Sequence, residues 1–280
     1  MIMAADEALD DRLAGKSWIH RSRVFGSPWT GVYGAQIESG RHFGRHSHDA
    51  YGIGFLEEGA HRSASGRGSV DAYAGELVTT NPGEVHDGRP LGGPSRRWRI
   101  LYVEPRTLSG FVGSAGMEIA RPVIRDPVLL ACVTRVFHRI ERWREVGALA
   151  CEEALVETGT GLLARYGTLP APRQANADLC RVRERLAHEL LDPPDLAELA
   201  RMTGLSRFQL LRRFERCYGM PPHAWLRQKR AERARGLIRG GASLAAAASA
   251  SGFSDQSHMT RVFVRQFGFT PGAWRAAHLQ

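Results

Sequence analysis

"GFSDQSHMTRVFVRQFGFTPGAWR", residues 252–275, sets four phenylalanines and a tryptophan among three arginines, two glutamines and a histidine. Gly252 stops the preceding Ala-rich run, and Ser254 or Asp255 supplies an N-cap for the next helix. Met259, Phe263 and Phe267 then recur at i, i+4 and i+8, which predicts a helix with one apolar stripe. Ser257, His258, Arg261 and Arg265 fall on the opposite face. Such a helix is either a core element that carries incidental charge or a surface shaped for something negative. The distribution of charge along the chain separates the two.

The same grammar occurs once upstream. "DLAELARMTGLSRFQLLRRFERCYG" (195–219) predicts a short helix ending at Thr203-Gly204, a turn, and a second helix capped by Ser206. Leu210, Phe214 and Cys217 give that helix its predicted buried stripe, while Arg207, Phe208, Leu211, Arg212 and Glu215 lie to the other side. Two helix-turn-helix units, about 195–219 and 243–268, make a stronger signal than either alone. Between them, "PPHAWLRQKRAERARGLIRGG" begins with proline and stops at Gly240-Gly241, so it reads as one helix. About 18 residues at ~1.5 Å each span ~27 Å, near the ~34 Å that separates successive major grooves on one face of DNA.

The 280 residues carry 38 Lys+Arg against 29 Asp+Glu, a net charge of +9. Residues 178 to 280 hold 17 basic and 9 acidic groups, whereas the first 177 hold 21 and 20. The excess therefore sits where the helical units repeat, as a phosphate-contacting surface requires, with a solubilising arginine face as the bland alternative. Cys132, Cys151, Cys180 and Cys217 form no CxxC pair, which argues against a zinc knuckle or disulfide framework and fits a reducing cytoplasm. No run approaches the ~20 apolar residues of a membrane span, and the acidic start MIMAADEALDD is unlike a signal peptide. A soluble, cytoplasmic protein with no membrane partner is expected.

Residues 17–110 read as β: "YGIGFLEEG", "GELVTTNPGEVH" and "RRWRILYVEP" are short runs separated by Gly, Ser and Pro turn signals, predicting an antiparallel barrel or sandwich. Residues 125–168 place Leu130, Val133, Val136, Phe137 and Ile140 at helical spacing, predicting one or two amphipathic helices. Residues 169–177 read as a flexible linker, and everything from 178 to 280 is helical. The fold class is thus α+β multidomain, with a β-barrel, a helical segment and an all-α domain whose two units are joined by a long helix.

On the strength of "GFSDQSHMTRVFVRQFGFTPGAWR", "LAELARMTGLSRFQLLRRFERCYGMPPHAWL" and "KRAERARGLI", residues 178–280 resemble the DNA-binding domain of the AraC/XylS family of bacterial transcription regulators. The resemblance covers the whole module. It implies that each second helix enters a major groove, with Arg207, Phe208, Leu211 and Arg212 facing bases from the first unit. Gln256, Ser257, His258 and Arg261 do so from the second, and Arg265 is assigned to phosphate or solvent. Leu211 stands where relatives often carry a polar side chain, which suits a thymine methyl or DNA shape instead of a hydrogen bond.

"RHSHDAYGIGFLEEG" supplies His46 and His48 as an HxH pair, and "GELVTTNPGEVHDG" adds His86 after a Pro-Gly turn. These resemble the two motifs of a cupin barrel, the sensor domain of AraC-type regulators. Three imidazoles could hold Zn²⁺ or another divalent ion. Metal cupins place a Glu four or five residues after HxH, however, and those positions are Gly52 and Ile53, with Glu57 and Glu58 too late. A metal-free pocket lined by His46, His48 and His86, with Tyr51, Glu84, Trp98 and Tyr102 as further candidates, is the alternative. Alternation in "RRWRILYV" sets Trp98, Ile100 and Tyr102 on one face and Arg97, Arg99 and Leu101 on the other. Residues 125–168 resemble the helical pair that mediates dimerisation in family members.

The function implied is a ligand-responsive DNA-binding transcriptional regulator, an activator by resemblance, with operator DNA, a small-molecule effector, a second copy and RNA polymerase as partners. A cupin metalloenzyme bearing a DNA-binding module, and a regulator whose barrel only dimerises, are the competing readings. No catalytic residues and no certain cofactor are assigned, and the effector stays open among sugars, amino acids and small aromatic or carboxylate metabolites.

Overall fold

The computed structural model describes residues 19–113, 116–169 and 177–278. The acidic first residues and most of the 169–177 segment assigned as a linker lie outside that range. Nine strands come first: β1 (His20–Phe25), β2 (Val32–Ser39), β3 (Phe43–His46), β4 (Tyr51–Glu58), β5 (Ala60–Ser65), β6 (Gly68–Tyr73), β7 (Leu77–Thr80), β8 (His86–Pro90) and β9 (Arg96–Val103). A helix α1 (Pro105–Val112) and two short strands, β10 (Glu118–Ile119) and β11 (Val123–Ile124), come next. The strands form a six-stranded sheet, β1-β2-β9-β4-β7-β11, and a four-stranded sheet, β3-β8-β5-β6, which face each other as a cupin-like barrel. The pairings within both sheets are antiparallel, and β11 joins the larger one well past residue 110.

Alternation decides what each strand offers to which layer. On β9, Arg96, Trp98, Ile100 and Tyr102 look into the barrel. Leu101 and Val103 look the other way, into a core shared with the helices behind the sheet. Those helices are α2 (Pro127–Glu141), α3 (Trp143–Val146) and α4 (Ala148–Tyr166). Asp126 caps α2 by accepting from Leu129 N–H, and Pro127 fills the first turn. Leu129, not Leu130, is the buried residue of its first turn, because the helix starts at Pro127 and turns Leu130 partly outward. Arg97 and Arg99, which leave the barrel toward solvent, close on Glu57 at 3.1 and 2.6 Å. A last short strand, β12 (Gly167–Thr168), pairs with β10.

The helical third contains α5 (Ala177–His188), α6 (Leu196–Thr203), α7 (Arg207–Tyr218), α8 (Pro222–Arg239), α9 (Leu244–Ala250), α10 (Gln256–Phe267) and α11 (Pro271–His278). Helices α6–α7 and α9–α10 are the two helix-turn-helix units, and α8 is one unbroken helix of 18 residues between them. Ser206 and Gln209 form a reciprocal capping box at the start of α7, and Asp255, not Ser254, caps α10. The first unit packs Leu199, Leu210 and Phe214 with Leu186 of α5 and Trp225 of α8, and Val85 of the barrel lies against this cluster. Cys217, expected in that stripe, is exposed: the stripe passes from Leu210 and Phe214 to Tyr218, whose ring packs on Phe214, and leaves Cys217 off the contact.

The second unit is built differently. Met259, Phe263, Phe267, Phe269 and Trp274 form a single cluster with Tyr33, Ala35, Ile37, Ile100 and Tyr102 of the barrel. The barrel and the second helix-turn-helix unit therefore share one core.

Candidate functional site

Both recognition helices, α7 and α10, end on the barrel. Each stops at a left-handed glycine, Gly219 at φ 75° and Gly268 at φ 76°. A side chain on Gly268 would also stand 2.8 Å from Ile37 Cδ1, and one on Gly219 would stand 2.9 Å from Val85 Cβ. Glycine is needed twice over at these points, for backbone conformation and for close approach. Arg45 Nη1 adds a donor to the Gly219 carbonyl at 3.0 Å.

Helix α8 lies along the barrel rim with a polar stripe at Gln228, Glu232, Arg235 and Arg239, spaced i, i+4, i+7 and i+11. Gln228 accepts from Ser47 N–H at 2.9 Å and donates to Ser47 Oγ at 2.5 Å. Lys229 reaches Asp49 at 2.6 Å and Glu232 at 2.8 Å. Arg235 donates to Tyr33 OH at 2.5 Å and lies over the rings of Tyr33, Phe267 and Trp274 at 5.2, 4.9 and 5.5 Å. Arg239 closes the row on the Thr30 carbonyl at 2.6 Å.

Under this seam is a cavity of about 100 Å³, several times the space one water needs. Its walls come from the barrel and from the last turn of α10, where Gln266, Phe267 and Gly268 close it. His46, His48 and His86 meet on one side, with ring centroids 4.5 to 5.5 Å apart and ligating nitrogens within 4.8 Å of one another. His46 Nδ1 faces the Gly44 carbonyl at 2.7 Å and His86 Nδ1 the Glu84 carbonyl at 2.9 Å, which leaves each Nε2 its lone pair. Burial, and then the neighbouring imidazoles, hold His46 down to about 3 and His48 well below the usual range. Burial also lowers His86, so all three are neutral.

Opposite them stands Arg96, only 1% exposed. Its Nε donates to His61 Nδ1 at 2.7 Å, its Nη1 donates to the carbonyls of Ser39 and Arg41, and its guanidinium lies 4.8 Å over the Trp98 ring. Burial lowers it to about 9, still charged at neutral pH.

The recognition faces point away from this cavity. On α7, Arg207 and Arg212 are exposed, Leu211 is half-buried, and Phe208 is 65% exposed with Arg212 5.6 Å over its ring. On α10, Gln256, Ser257, Arg261 and Arg265 are exposed. His258 is half-buried, its Nδ1 3.1 Å from Ser254 Oγ and its ring edge-on to Phe253. The caps at Ser206 and Asp255 place both helix N-termini at the outer ends.

Comparison with known proteins fits this arrangement. Residues 30–158 match the AraC-like ligand binding domain and residues 199–277 a helix-turn-helix domain. The uncharacterised HTH-type transcriptional regulator YbfI of Bacillus subtilis (strain 168) is 30% identical over 228 residues, 78% of this chain and 81% of that protein. The chain belongs to the AraC/XylS family of transcriptional regulators. Other relatives include the transcriptional activator NphR of a Rhodococcus sp, 34% identical over 42% of this chain and 35% of its own. HTH-type transcriptional activator RhaR of Klebsiella pneumoniae is 30% identical over 59% and 56%. Among solved structures, unsaturated fatty acid-bound ToxT from Vibrio cholerae superposes with a TM-score of 0.53 over 94% of this chain and 96% of that one. At 11% identity the likeness is one of fold. The protein is thus an AraC-family DNA-binding transcriptional regulator with an N-terminal ligand-binding domain. Among the described residues no helix is long and apolar enough to cross a membrane.

For this AraC-family chain, the cavity brings together six of the seven side chains suggested for the pocket: His46, His48, Glu84, His86, Trp98 and Tyr102. Tyr51 is the correction. It is the first residue of β4, so alternation sends it with Ile53 and Phe55 into the core behind the sheet, where its hydroxyl donates to the Met117 carbonyl. Glu84 is present but occupied, held by Arg67 at 2.6 and 2.8 Å and by Asn81 N–H at 3.0 Å. Arg96 was legible, since it shares the face of Trp98 two residues on. Gln266 and Phe267 were not, because a buried stripe does not say what it is buried against.

Proposed function

We propose that this regulator is an effector-responsive activator in which the effector occupies the barrel cavity and bears directly on the second recognition helix. The observation that carries this reading is that Gln266, Phe267 and Gly268, the end of α10, are part of the cavity wall. A molecule that fits only when these residues are in place favours the docked state, by as much as its affinity differs between states. Arg207, Phe208, Leu211 and Arg212, with Gln256, Ser257, His258 and Arg261, read the major groove, and Arg265 holds phosphate. The protein works in the cytoplasm, where its DNA is, and recruits RNA polymerase there. The exposed apolar side chains Val128 and Leu149, 61% and 71% exposed, suit the helical segment to a homodimer contact. Fluorescence anisotropy of the full chain on DNA flanking its own gene tests the reading. Tight binding that Phe267→Ala uncouples from added metabolite supports it, and DNA binding indifferent to every metabolite that stabilises the barrel defeats it.

A second reading has its own observation. The backbone-anchored Nδ1 atoms of His46 and His86 orient two Nε2 lone pairs toward His48, a donor set that fits Zn²⁺ or another divalent ion. Such an ion would polarise or anchor an oxygen-bearing effector. Metal analysis of protein purified without chelator tests it: about one ion per chain, lost in His86→Ala, supports the site, and none argues for a metal-free pocket.

A further inference from the structure

Six buried side-chain polar atoms lack a protein partner among the described residues, and four of them belong to residues that line this one cavity: His48 Nδ1, Thr80 Oγ1, Arg96 Nη2 and Gln266 Oε1. Buried polar groups are almost always paired, so four orphans around one space mark the outline of a polar ligand. Arg96 sets its charge. Among the described residues no carboxylate pairs with this guanidinium: its partners are one neutral imidazole, two carbonyls and the faces of two rings, Trp98 and Phe43. Of the two carboxylates in the wall, Glu84 is held by Arg67 and Asp87 accepts from Ala64 N–H. A buried cation without a counter-charge is costly unless something supplies one. The rest of the wall sets the hydroxyl residues Ser63, Ser65 and Thr79 beside apolar and aromatic side chains, Phe43, Leu56, Ile100 and Phe267 among them.

Resting on the sensor reading above, we propose that the effector is a small organic carboxylate, its anion received by Arg96 Nη2 and its body held among the aromatic side chains. A hydroxyl or amino group on that body meets Gln266 Oε1 or Thr80 Oγ1. The charged hydrogen bond fixes orientation, and the contact at Gln266 is where occupancy reaches the recognition helix. At about 100 Å³ the space suits a small acid.

The test uses the full-length protein in EDTA, so that no metal on the histidines can supply the charge. It is titrated with 4-hydroxybenzoate and 3-hydroxybutyrate, with their neutral amides, and with ribose as a neutral polyol, read by tryptophan fluorescence and thermal shift. A charge-assisted bond predicts that at least one acid binds about 10- to 100-fold tighter than its amide. Arg96→Gln should erase that preference and Arg96→Lys keep part of it. Should Arg96→Gln fail to fold, the acid–amide comparison on the unaltered protein still decides. Equal binding of acid and amide, or binding of ribose alone, overturns the carboxylate and leaves the sensor reading standing. Binding of none of these overturns the carboxylate, and the sensor reading falls only if no metabolite shifts the barrel's melting either.

Discussion

Arg261 stands exposed in the second turn of α10, past the Asp255 cap. Arg261→Ala should weaken operator binding in a gel shift while leaving the melting temperature unchanged. If the guanidinium reads a base, the loss is about 1–3 kcal/mol and confined to the cognate site. If it holds a phosphate, the loss is uniform across sequences and the salt slope falls by about 1. Unchanged binding would remove Arg261 from the interface. At the far end of the same helix, Gly268→Ala meets both a positive φ and the Ile37 side chain 2.8 Å away. A cost of about 1–3 kcal/mol is expected, lowering the melting temperature by about 2–4 °C per kcal/mol. An unshifted melt would show that the glycine does not press on the barrel. Single residues differ in how plainly the sequence declares them. Ser206 and Asp255 are caps by type and position, whereas His258 owes its half-buried setting to Phe253 and Ser254, neighbours that only folding brings to its ring.

Helix α8 was legible as a helix from its proline start and glycine stop, yet its role was not. Read as a strut between two recognition helices, it is equally a polar face laid on the barrel, and only the strand ends at Tyr33, Ser47 and Asp49 reveal why Gln228, Lys229 and Arg235 are spaced as they are. Its Glu232 carboxyl is pushed up to about 8, by burial first and then by the Asp49 carboxylate, with Lys229 opposing. Asp49 itself is lowered and Lys229 raised, while Arg235 and Gln266 complete the surroundings. An acid whose pKa is raised by folding holds its proton more tightly in the folded chain. The Glu232 contribution to stability is therefore full below about 4.5 and is lost as pH rises to about 8, while the buried neutral histidines act in the opposite sense as pH falls below the ordinary imidazole value. Chemical denaturation of both chains at pH 6 and pH 8 isolates it: the stability of Glu232→Gln relative to the parental chain should rise between the two and leave the variant the more stable at pH 8. The same difference at both pH values would show that Glu232 does not carry this dependence.

Across the whole molecule, the two helix-turn-helix units look alike in sequence and are held differently. The first builds its core mostly from helices α5 to α8, with Val85 of the barrel against its edge, while the second completes its core with Tyr33, Ile37, Ile100 and Tyr102 of the barrel. Local signals such as caps, stripes, glycine stops and strand alternation carried the architecture, because each depends on residues a turn or a strand apart. The docking of the helical units on the barrel, and the cavity under the second, depend on pairs some 200 residues apart, such as Tyr33 with Arg235, and no periodicity encodes them. That docking gives an effector its hold on the DNA-binding region, and it can be measured without knowing the effector. In a double-mutant cycle on the full-length chain, Tyr33→Phe and Arg235→Met are made singly and together, with stability followed by denaturant unfolding. Contact across the seam predicts a coupling of about 0.5–3 kcal/mol. Additive effects, with no coupling beyond about 0.3 kcal/mol, would mean that barrel and recognition unit stand independently, and would contradict the account.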